Sequence, residues 1–334
     1  MSASLPVPPA LIVAGPTASG KSALALALAV RLGGVVINAD AMQVYRELRI
    51  LTARPSVEDE AAAPHALYGV RPAAAAGSAA WWREAALTAM EAARAAGLVP
   101  ILCGGSGLYL AALIGGLAAI PDPGPAARAE ARTLLAELGP ARLHARLAAV
   151  DPVTAARLRP TDSQRVARAW EVWRSTGRGL AAWQEATPAA AAIAPPPAQA
   201  APPAWRFTAI VLDPPRAELR EAAAARFSAM LDAGAVGEVR ALLALGLDPA
   251  LPALRAHGVP ELAAHLRGAL TLEDATASTI AATGRYMKRQ STWLRHHALA
   301  PEARTHMIHA RIAGLAQFSE RNLAEIIEFI RAPA

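Results

Sequence analysis

The sequence predicts an α/β fold, a parallel sheet flanked by helices and built around a phosphate-binding loop. Three observations carry that expectation. In Leu11 to Val30, LIVAGPTASGKSALALALAV, an apolar strand runs through a glycine-bounded loop into a helical run. Further short apolar runs, at Val35–Ile37, Val99–Cys103 and Phe207–Leu212, each end in small or polar residues. Buried parallel strands read as such runs, and ligands gather beyond their carboxyl ends. From Asp122 onward the texture changes to Ala/Arg/Leu patterns of helical period.

The loop Gly15-Pro16-Thr17-Ala18-Ser19-Gly20-Lys21-Ser22 has two glycines followed by Lys and Ser, the pattern of a phosphate cradle. Such a loop turns a row of backbone N–H groups toward one point, and the next helix adds its positive N-terminal end. Lys21 is placed to reach the outer phosphates and Ser22 to offer its hydroxyl to a magnesium ion. Lysine is scarce: Lys21 and Lys288 are the only two among 33 basic residues. A structural Gly/Ser turn is the plain alternative, and the strand and helix around the motif outweigh it. The expected ligand is a phosphorylated small molecule.

Composition narrows the class. A length of 334 residues suits one large α/β domain or a domain with a sizeable insertion. Hydrophobic content is 54%, with Ala by far the commonest contributor and only 4% aromatic, so helices should dominate. A single cysteine, Cys103, excludes a disulfide framework and fits the reducing cytoplasm. The N-terminus MSASLPVPPA lacks a secretory pattern. Ala95 to Pro121 carries no charge and is long enough to span a bilayer, but Pro100 and Gly104-Gly105-Ser106-Gly107 interrupt it. A strand, a glycine loop and a buried helix explain it better, and no membrane partner is expected. The net charge of +6 is unevenly placed: residues 128–178 hold 10 Arg against 5 acids, and residues 1–127 balance at 8 and 8. That segment is either a solvated helical face or a polyanion-binding surface.

In chain order, Gly33-Gly34 ends the first helix, and Val35–Ile37 runs into Asn38-Ala39-Asp40-Ala41-Met42-Gln43. Asp40 thus stands beyond a strand next to the phosphate-loop strand. It either caps a turn or presents a carboxylate to the ligand. Residues 58–72 read as an acidic turn and a short strand around Leu67–Val70. Trp81-Trp82 then opens a helix to about Ala96 and reads as a core anchor ahead of a base-stacking platform. Ser106, beyond the next strand, either lines a turn or bonds a ligand that the neighbouring glycines let approach. Helical patterns cover 126–149 and Gln164–Gly177, where Gln164, Arg165 and Arg168 share a face. Residues 186–204 are low-complexity Pro/Ala. Helices follow over 216–246 and 273–298, with a strand at Met307–Ala310 completing the sheet.

In this order the motifs resemble those of the tRNA dimethylallyltransferases, also called tRNA isopentenyltransferases. The resemblance rests on Gly15–Ser22, Asp40–Gln43, Gly104-Gly105-Ser106, Gln164–Arg168, Arg226-Phe227 with Met230, and Lys288-Arg289-Gln290 with Trp293. It runs from about residue 11 to residue 297. It implies transfer of a dimethylallyl group from dimethylallyl diphosphate to the exocyclic amine of the adenosine on the 3′ side of the tRNA anticodon. Carried over, Gly15, Pro16, Thr17, Ala18, Ser19, Gly20, Lys21 and Ser22 bind the diphosphate, Ser22 holds Mg2+, and Asp40 is the general base. Asp40, Ala41, Met42, Gln43, Gln164, Arg165, Val166, Ala167, Arg168 and Arg255 contact the anticodon stem-loop, and Ser106 matches a Thr that contacts the target nucleotide. The family also implies a P-loop core over 1–121 and 198–334. A helical insertion domain at about 122–197 swings over the RNA, and the enzyme is a monomer. The late family motif Arg-x-x-Gly-Tyr-Arg departs here to Arg255-Ala256-His257-Gly258-Val259-Pro260, which lacks the aromatic and the second Arg.

The implied chemistry fits the residue types. Diphosphate leaves as positive charge develops on the allyl group, and a P-loop, Lys21 and magnesium neutralise the leaving group. Adenine's amine is a weak nucleophile and needs a proton acceptor such as Asp40. Its base must also leave the stack, which a single-stranded loop eases. Two other classes share parts of the pattern: an ATP-binding P-loop kinase of the nucleotide or shikimate type, and a non-catalytic RNA-binding protein.

Overall fold

The computed structural model describes residues 9–186, 205–313 and 320–332. Most of the Pro/Ala stretch lies outside them, as does the 197/198 boundary. Contacts divide the chain into two compact units, Met1–Ile114 with Pro203–Ala334, and Gly115–Pro202.

The first unit holds a six-stranded sheet of β1 (Pro9–Ala14), β2 (Gly34–Asn38), β3 (His65–Ala66), β4 (Val99–Gly104), β5 (Arg206–Leu212) and β6 (Thr305–Ile308). The spatial order is β3-β2-β4-β1-β5-β6, and every pairing is parallel. Parallel strands need crossovers, and these are supplied by helices that bury both faces of the sheet. The central strands are accordingly buried on both sides; Ile12, Val13, Ile37 and Leu102 are wholly inaccessible. β1 sits between β4 and β5, so the Asp40 strand β2 is not beside the phosphate-loop strand as the sequence suggested: β4 is inserted between them, and the exits of β2, β4 and β1 follow one another along the sheet edge.

The first helices are α1 (Lys21–Leu32), α2 (Val57–Ala62), α3 (Ala79–Ala95) and α4 (Gly107–Gly115). α1 stops at Gly33, whose φ of 64° is the left-handed conformation that closes a helix. α3 presents Trp82, Ala86, Met90 and Ala93 to the core. Trp82 is the anchor the sequence indicated: it is fully buried, stacks on Tyr109 at 4.5 Å and donates to the Asn38 carbonyl at 2.8 Å. The charge-free stretch 95–121 resolves into β4 and α4, and no helix among the described residues is long and apolar enough to cross a membrane. The strand expected around Leu67–Val70 is instead His65–Ala66. Leu67 takes φ 65° and turns the chain out of the sheet, and Gly69 and Arg71 donate to Gln43 and Val44.

The second unit contains α5 (Gly124–Val150), α6 (Pro152–Ala156), α7 (Ser163–Thr176) and α8 (Leu180–Glu185). α5 is broken at Gly139 (φ 73°), ahead of Pro140. Ala131, Leu143, Leu147, Val166, Ala169 and Trp170 form this unit's own core.

Returning to the first unit, α9 (Arg216–Asp232) and α10 (Ala235–Ala244) replace the single helix expected over 216–246, because Gly234 takes φ 98°. α11 (Val259–Leu266), α12 (Leu272–His296) and α13 (Glu320–Arg331) complete it. β6 lies two residues earlier than the expected Met307–Ala310 and forms an edge beside β5.

Candidate active site

Three strand exits are tied together by backbone hydrogen bonds. Gly15 N–H donates to the Gly104 carbonyl at 3.3 Å, Ala39 N–H to Cys103 at 2.8 Å, and Ser106 N–H to Ala39 at 3.3 Å. A Cβ on Gly104 would stand 2.1 Å from the Ala39 carbonyl oxygen, and one on Gly105 2.4 Å from Gln290 Nε2. The glycines here admit the protein's own backbone and Gln290, where the sequence suggested the approach of a ligand. The Gln290 side chain, buried on α12, accepts from Thr17 N–H at 2.9 Å and donates to the Gly105 carbonyl at 3.0 Å. It therefore joins the phosphate loop to the turn that carries Ser106.

Within the loop, Ala18 is held at φ 67°, a left-handed conformation that costs a non-glycine residue on the order of 1 kcal/mol or more. Lys21 Nζ donates to the Pro16 carbonyl at 3.3 Å. Desolvation lowers its pKa, with the Cys103 thiol and then the Asp40 carboxylate pulling it back up. Burial pushes the Cys103 thiol up to about 11, so it is a neutral packing group under the loop. Ser19 Oγ is fully buried and has no hydrogen-bond partner among the described residues.

The second exit is built by Asn38. Its Nδ2 donates to the carbonyls of Asp40 (3.0 Å) and Leu67 (3.1 Å), and its Oδ1 accepts from Asp40 N–H at 2.8 Å. Asp40 Oδ1 then accepts from Met42 N–H at 2.8 Å and Gln43 N–H at 3.4 Å. Asp40 thus caps its turn, and it also lines a cavity of about 180 Å³ together with Thr17, Arg226, His257 and Tyr286. Ser106 Oγ accepts from Ala41 N–H at 2.9 Å, and the Tyr286 hydroxyl interacts with the side chains of Ser106 and Gln290. Burial, with Asp40 adding to it, pushes the Tyr286 phenol up to about 12. Burial likewise lowers His257, so it is neutral at pH 7.

Beside this cavity, a cleft of about 670 Å³ opens over the N-terminus of α1 and is lined by Gly20, Lys21, Ser22, Arg226 and Arg311. That volume falls in the range of about 300–1,000 Å³ usual for small-molecule sites. Arg226 lines both spaces and is their common wall. Burial lowers its pKa, and Asp40 partly restores it.

Comparison with known proteins accords with this architecture. The family model for IPP transferase matches residues 43–297, and that for isopentenyl transferase matches residues 9–67. The chain belongs to the IPP transferase family. It is 60% identical over 323 residues to the tRNA dimethylallyltransferase of Granulibacter bethesdensis, spanning 97% of this chain and 98% of that protein. The tRNA dimethylallyltransferase of Acidiphilium cryptum is 59% identical over 325 residues, with 97% and 95% covered. The crystal structure of the tRNA isopentenylpyrophosphate transferase of Bacillus halodurans superimposes with a TM-score of 0.65 at 28% identity, covering 96% and 95%. A eukaryotic dimethylallyltransferase captured in crystallographic snapshots acting on tRNA shares the fold, with a TM-score of 0.75 at 23% identity over 97% and 79% of the two chains. As a family member this chain is an enzyme, a prenyl transferase of the tRNA-modifying class.

Some residues that the family resemblance assigned to RNA are occupied otherwise. Gln43 Nε2 donates to the carbonyls of Thr52 and Ala53, both at 2.9 Å, and so holds the loop that lines both spaces. The Glu238 carboxylate clasps the same loop, accepting from Arg49, Ile50 and Leu51 N–H at 2.6, 2.7 and 2.9 Å. Ala41 and Met42 pack against the core. Val166 is fully buried and so forms no RNA surface, and Ala167 is half-buried against the same cluster. The helical period turns Gln164 and Arg165 outward instead, and Arg168 is half-buried. Of the ten arginines in 128–178, Arg128, Arg157, Arg165, Arg168 and Arg174 pair with carboxylates. Arg132, Arg142 and Arg146 are exposed on α5. Arg255 is exposed and lines the Asp40 cavity. Sequence reasoning assigned no role to Asn38, Glu238, Tyr286 or Gln290; the signs were Asn38 two positions before Asp40 and Gln290 within the Lys288-Arg289-Gln290 motif.

Proposed function

We propose that the enzyme transfers a dimethylallyl group from dimethylallyl diphosphate to the exocyclic amine of the adenosine 3′-adjacent to the anticodon, releasing diphosphate. One observation carries the reading: the Lys21 cleft and the Asp40 cavity meet at Arg226. A leaving group in the first and a nucleophile in the second would face each other across the allyl carbon. In the reaction the carbon–oxygen bond to diphosphate breaks and the carbon–nitrogen bond forms. The amine proton passes to the Asp40 carboxylate. Loop N–H groups, Lys21 and Arg226 take up the charge that grows on the leaving oxygen, and they do so from fixed positions. Asp40 is held by Met42 N–H through one oxygen, so the carboxylate is oriented before the base arrives. Ser106, fixed through Ala41, is placed to orient the base.

Magnesium suits this donor set. Ser22 offers a hard hydroxyl oxygen in the cleft, and the neighbouring Ser19 Oγ is a buried polar atom without a partner among the described residues. Among the described residues no three His, Cys, Asp or Glu side chains gather to hold a metal. Ser22 and the substrate's phosphate oxygens would therefore be its ligands. When bound, the ion neutralises diphosphate charge.

The RNA partner would be the anticodon stem-loop of tRNA, met in the helical unit by Gln164, Arg165 and Arg168 and in the core by Arg255. A single buried neutral thiol suits the cytoplasm. The test is incubation with labelled dimethylallyl diphosphate, magnesium and an unmodified anticodon stem-loop, followed by nucleoside mass spectrometry. Label on the exocyclic amine of that one adenosine is expected, with none transferred from labelled ATP. Phosphate transfer from ATP would replace this reading with the kinase one.

A further inference from the structure

We propose that Arg311, carried by the segment after β6, is a third cation for the donor's diphosphate, so that this C-terminal segment forms one wall of the donor site. The inference rests on the reading that the Lys21 cleft takes that diphosphate. The matched family region ends at residue 297, and the sequence pattern beyond it indicates only a strand.

The segment is fastened to three consecutive residues of the phosphate loop. Arg311 Nε donates to the Ala18 carbonyl at 3.0 Å, and Ile312 N–H donates to the Ser19 carbonyl at 3.0 Å. Ile312 lies so close over Gly20 that a Cβ there would stand 2.0 Å from the Ile312 carbonyl oxygen. The Ile312 side chain is buried in the cluster formed by α1 and α13, which holds the strap down. A strap fixed in this way brings Arg311 to a defined place instead of leaving it on a free tail.

That place is the wall of the cleft that Lys21 and Arg226 also line. The Arg311 guanidinium lowers the pKa of Arg226, so the two charges feel each other. Neither arginine forms an ion pair with a carboxylate among the described residues. The acids on the same cleft, Glu218 and Glu221, are exposed. Arg311 uses Nε on Ala18, and its Nη atoms have no hydrogen-bond partner among the described residues. Three converging cations held this close repel one another until a polyanion arrives, and an arginine fork is well shaped for phosphate oxygens. A diphosphate supplies the charge the cleft lacks.

The alternative is that Arg311 only staples the strap to the loop. Calorimetric titration of the full chain with inorganic diphosphate, and separately with dimethylallyl diphosphate, separates the two, with magnesium present throughout. Arg311→Gln, Arg311→Lys and Lys21→Ala are compared with the unaltered protein. We expect Arg311→Gln to weaken both ligands by about ten- to a hundredfold, as for a lost charged hydrogen bond. Arg311→Lys loses the fork and the Nε staple but still meets phosphate as a point charge, so its loss should be clearly smaller than that of Arg311→Gln. The Michaelis constant for the RNA should not move. Equal losses in the Gln and Lys variants would assign Arg311 to the staple and overturn the proposal. So would an unaltered Arg311→Gln alongside a weakened Lys21→Ala. If Lys21→Ala also binds normally, the diphosphate reading of the cleft fails with it.

Discussion

Asn38 in the core is wholly buried and uses both ends of its amide on backbone groups, whereas Arg165 in the helical unit is three-quarters exposed and faces only Asp162, at 3.6 Å. The contrast extends to their neighbours. Around the phosphate loop, Gln290, Glu238 and Gln43 each fix two or three backbone groups. On α7, Arg165 and Arg168 pair with acids three residues away, the N-cap Asp162 and Glu171. A group that must meet a reacting atom has to be fixed to a fraction of an ångström, and buried hydrogen bonds do that. Attraction to a phosphate backbone needs only positive charge at the right distance, which exposed arginines provide while remaining solvated.

The comparison breaks if fixed core groups prove dispensable. Asp40→Asn can still accept from Met42 N–H but cannot take a proton, so single-turnover transfer should slow by about 10²–10⁴-fold. RNA and diphosphate affinity should change far less. A rate within threefold of normal with weakened RNA binding would make Asp40 an RNA contact. Lys21→Ala should lower kcat/KM by about 10²–10³-fold, comparable to losing one oxyanion donor, with the melting temperature little changed. Gln290→Met fills the same space but joins nothing. If it aligns donor and acceptor turns, kcat should drop by about ten- to a hundredfold while RNA affinity stays normal.

On the helical side the effects should be smaller and of another kind. Replacing Arg165 and Arg168 with Gln should reduce the slope of log binding constant against log salt by roughly 0.7–0.9 for each phosphate no longer neutralised. The single-turnover rate at saturating RNA should be unchanged. An unaltered slope would mark the face as merely solvated. The smallest effect belongs to Cys103. With its thiol at about 11, only about 0.1% is ionised at pH 8, and burial shields the rest from attack. Iodoacetamide should leave the folded protein unmodified by mass and label it after urea denaturation.

Features encoded in contiguous residues were legible in advance. The glycine spacing of Gly15–Ser22 indicated the loop, and the apolar runs indicated the sheet. Asp40 followed from the rule that ligands collect at strand exits. What escaped was non-local. Gln290 reaches Thr17 across 273 residues, and Arg311 reaches Ala18 across 293, so no window of sequence contains either pair. Gln43 and Val166 illustrate another limit. A motif carried over as a block includes residues whose side chains support the block itself. Leu67 shows a third, because a left-handed non-glycine leaves no mark in a propensity pattern.

The two outermost strands, β3 with two residues and β6 with four, have a bearing on how the molecule behaves in a crowd. A sheet is most prone to recruit foreign strands along its rims, where unpaired amides and carbonyls form a template. Here the long, apolar strands are all interior, and each rim presents only a few such groups. A chain rich in alanine and leucine thereby keeps its stickiest backbone from pairing with other copies of itself.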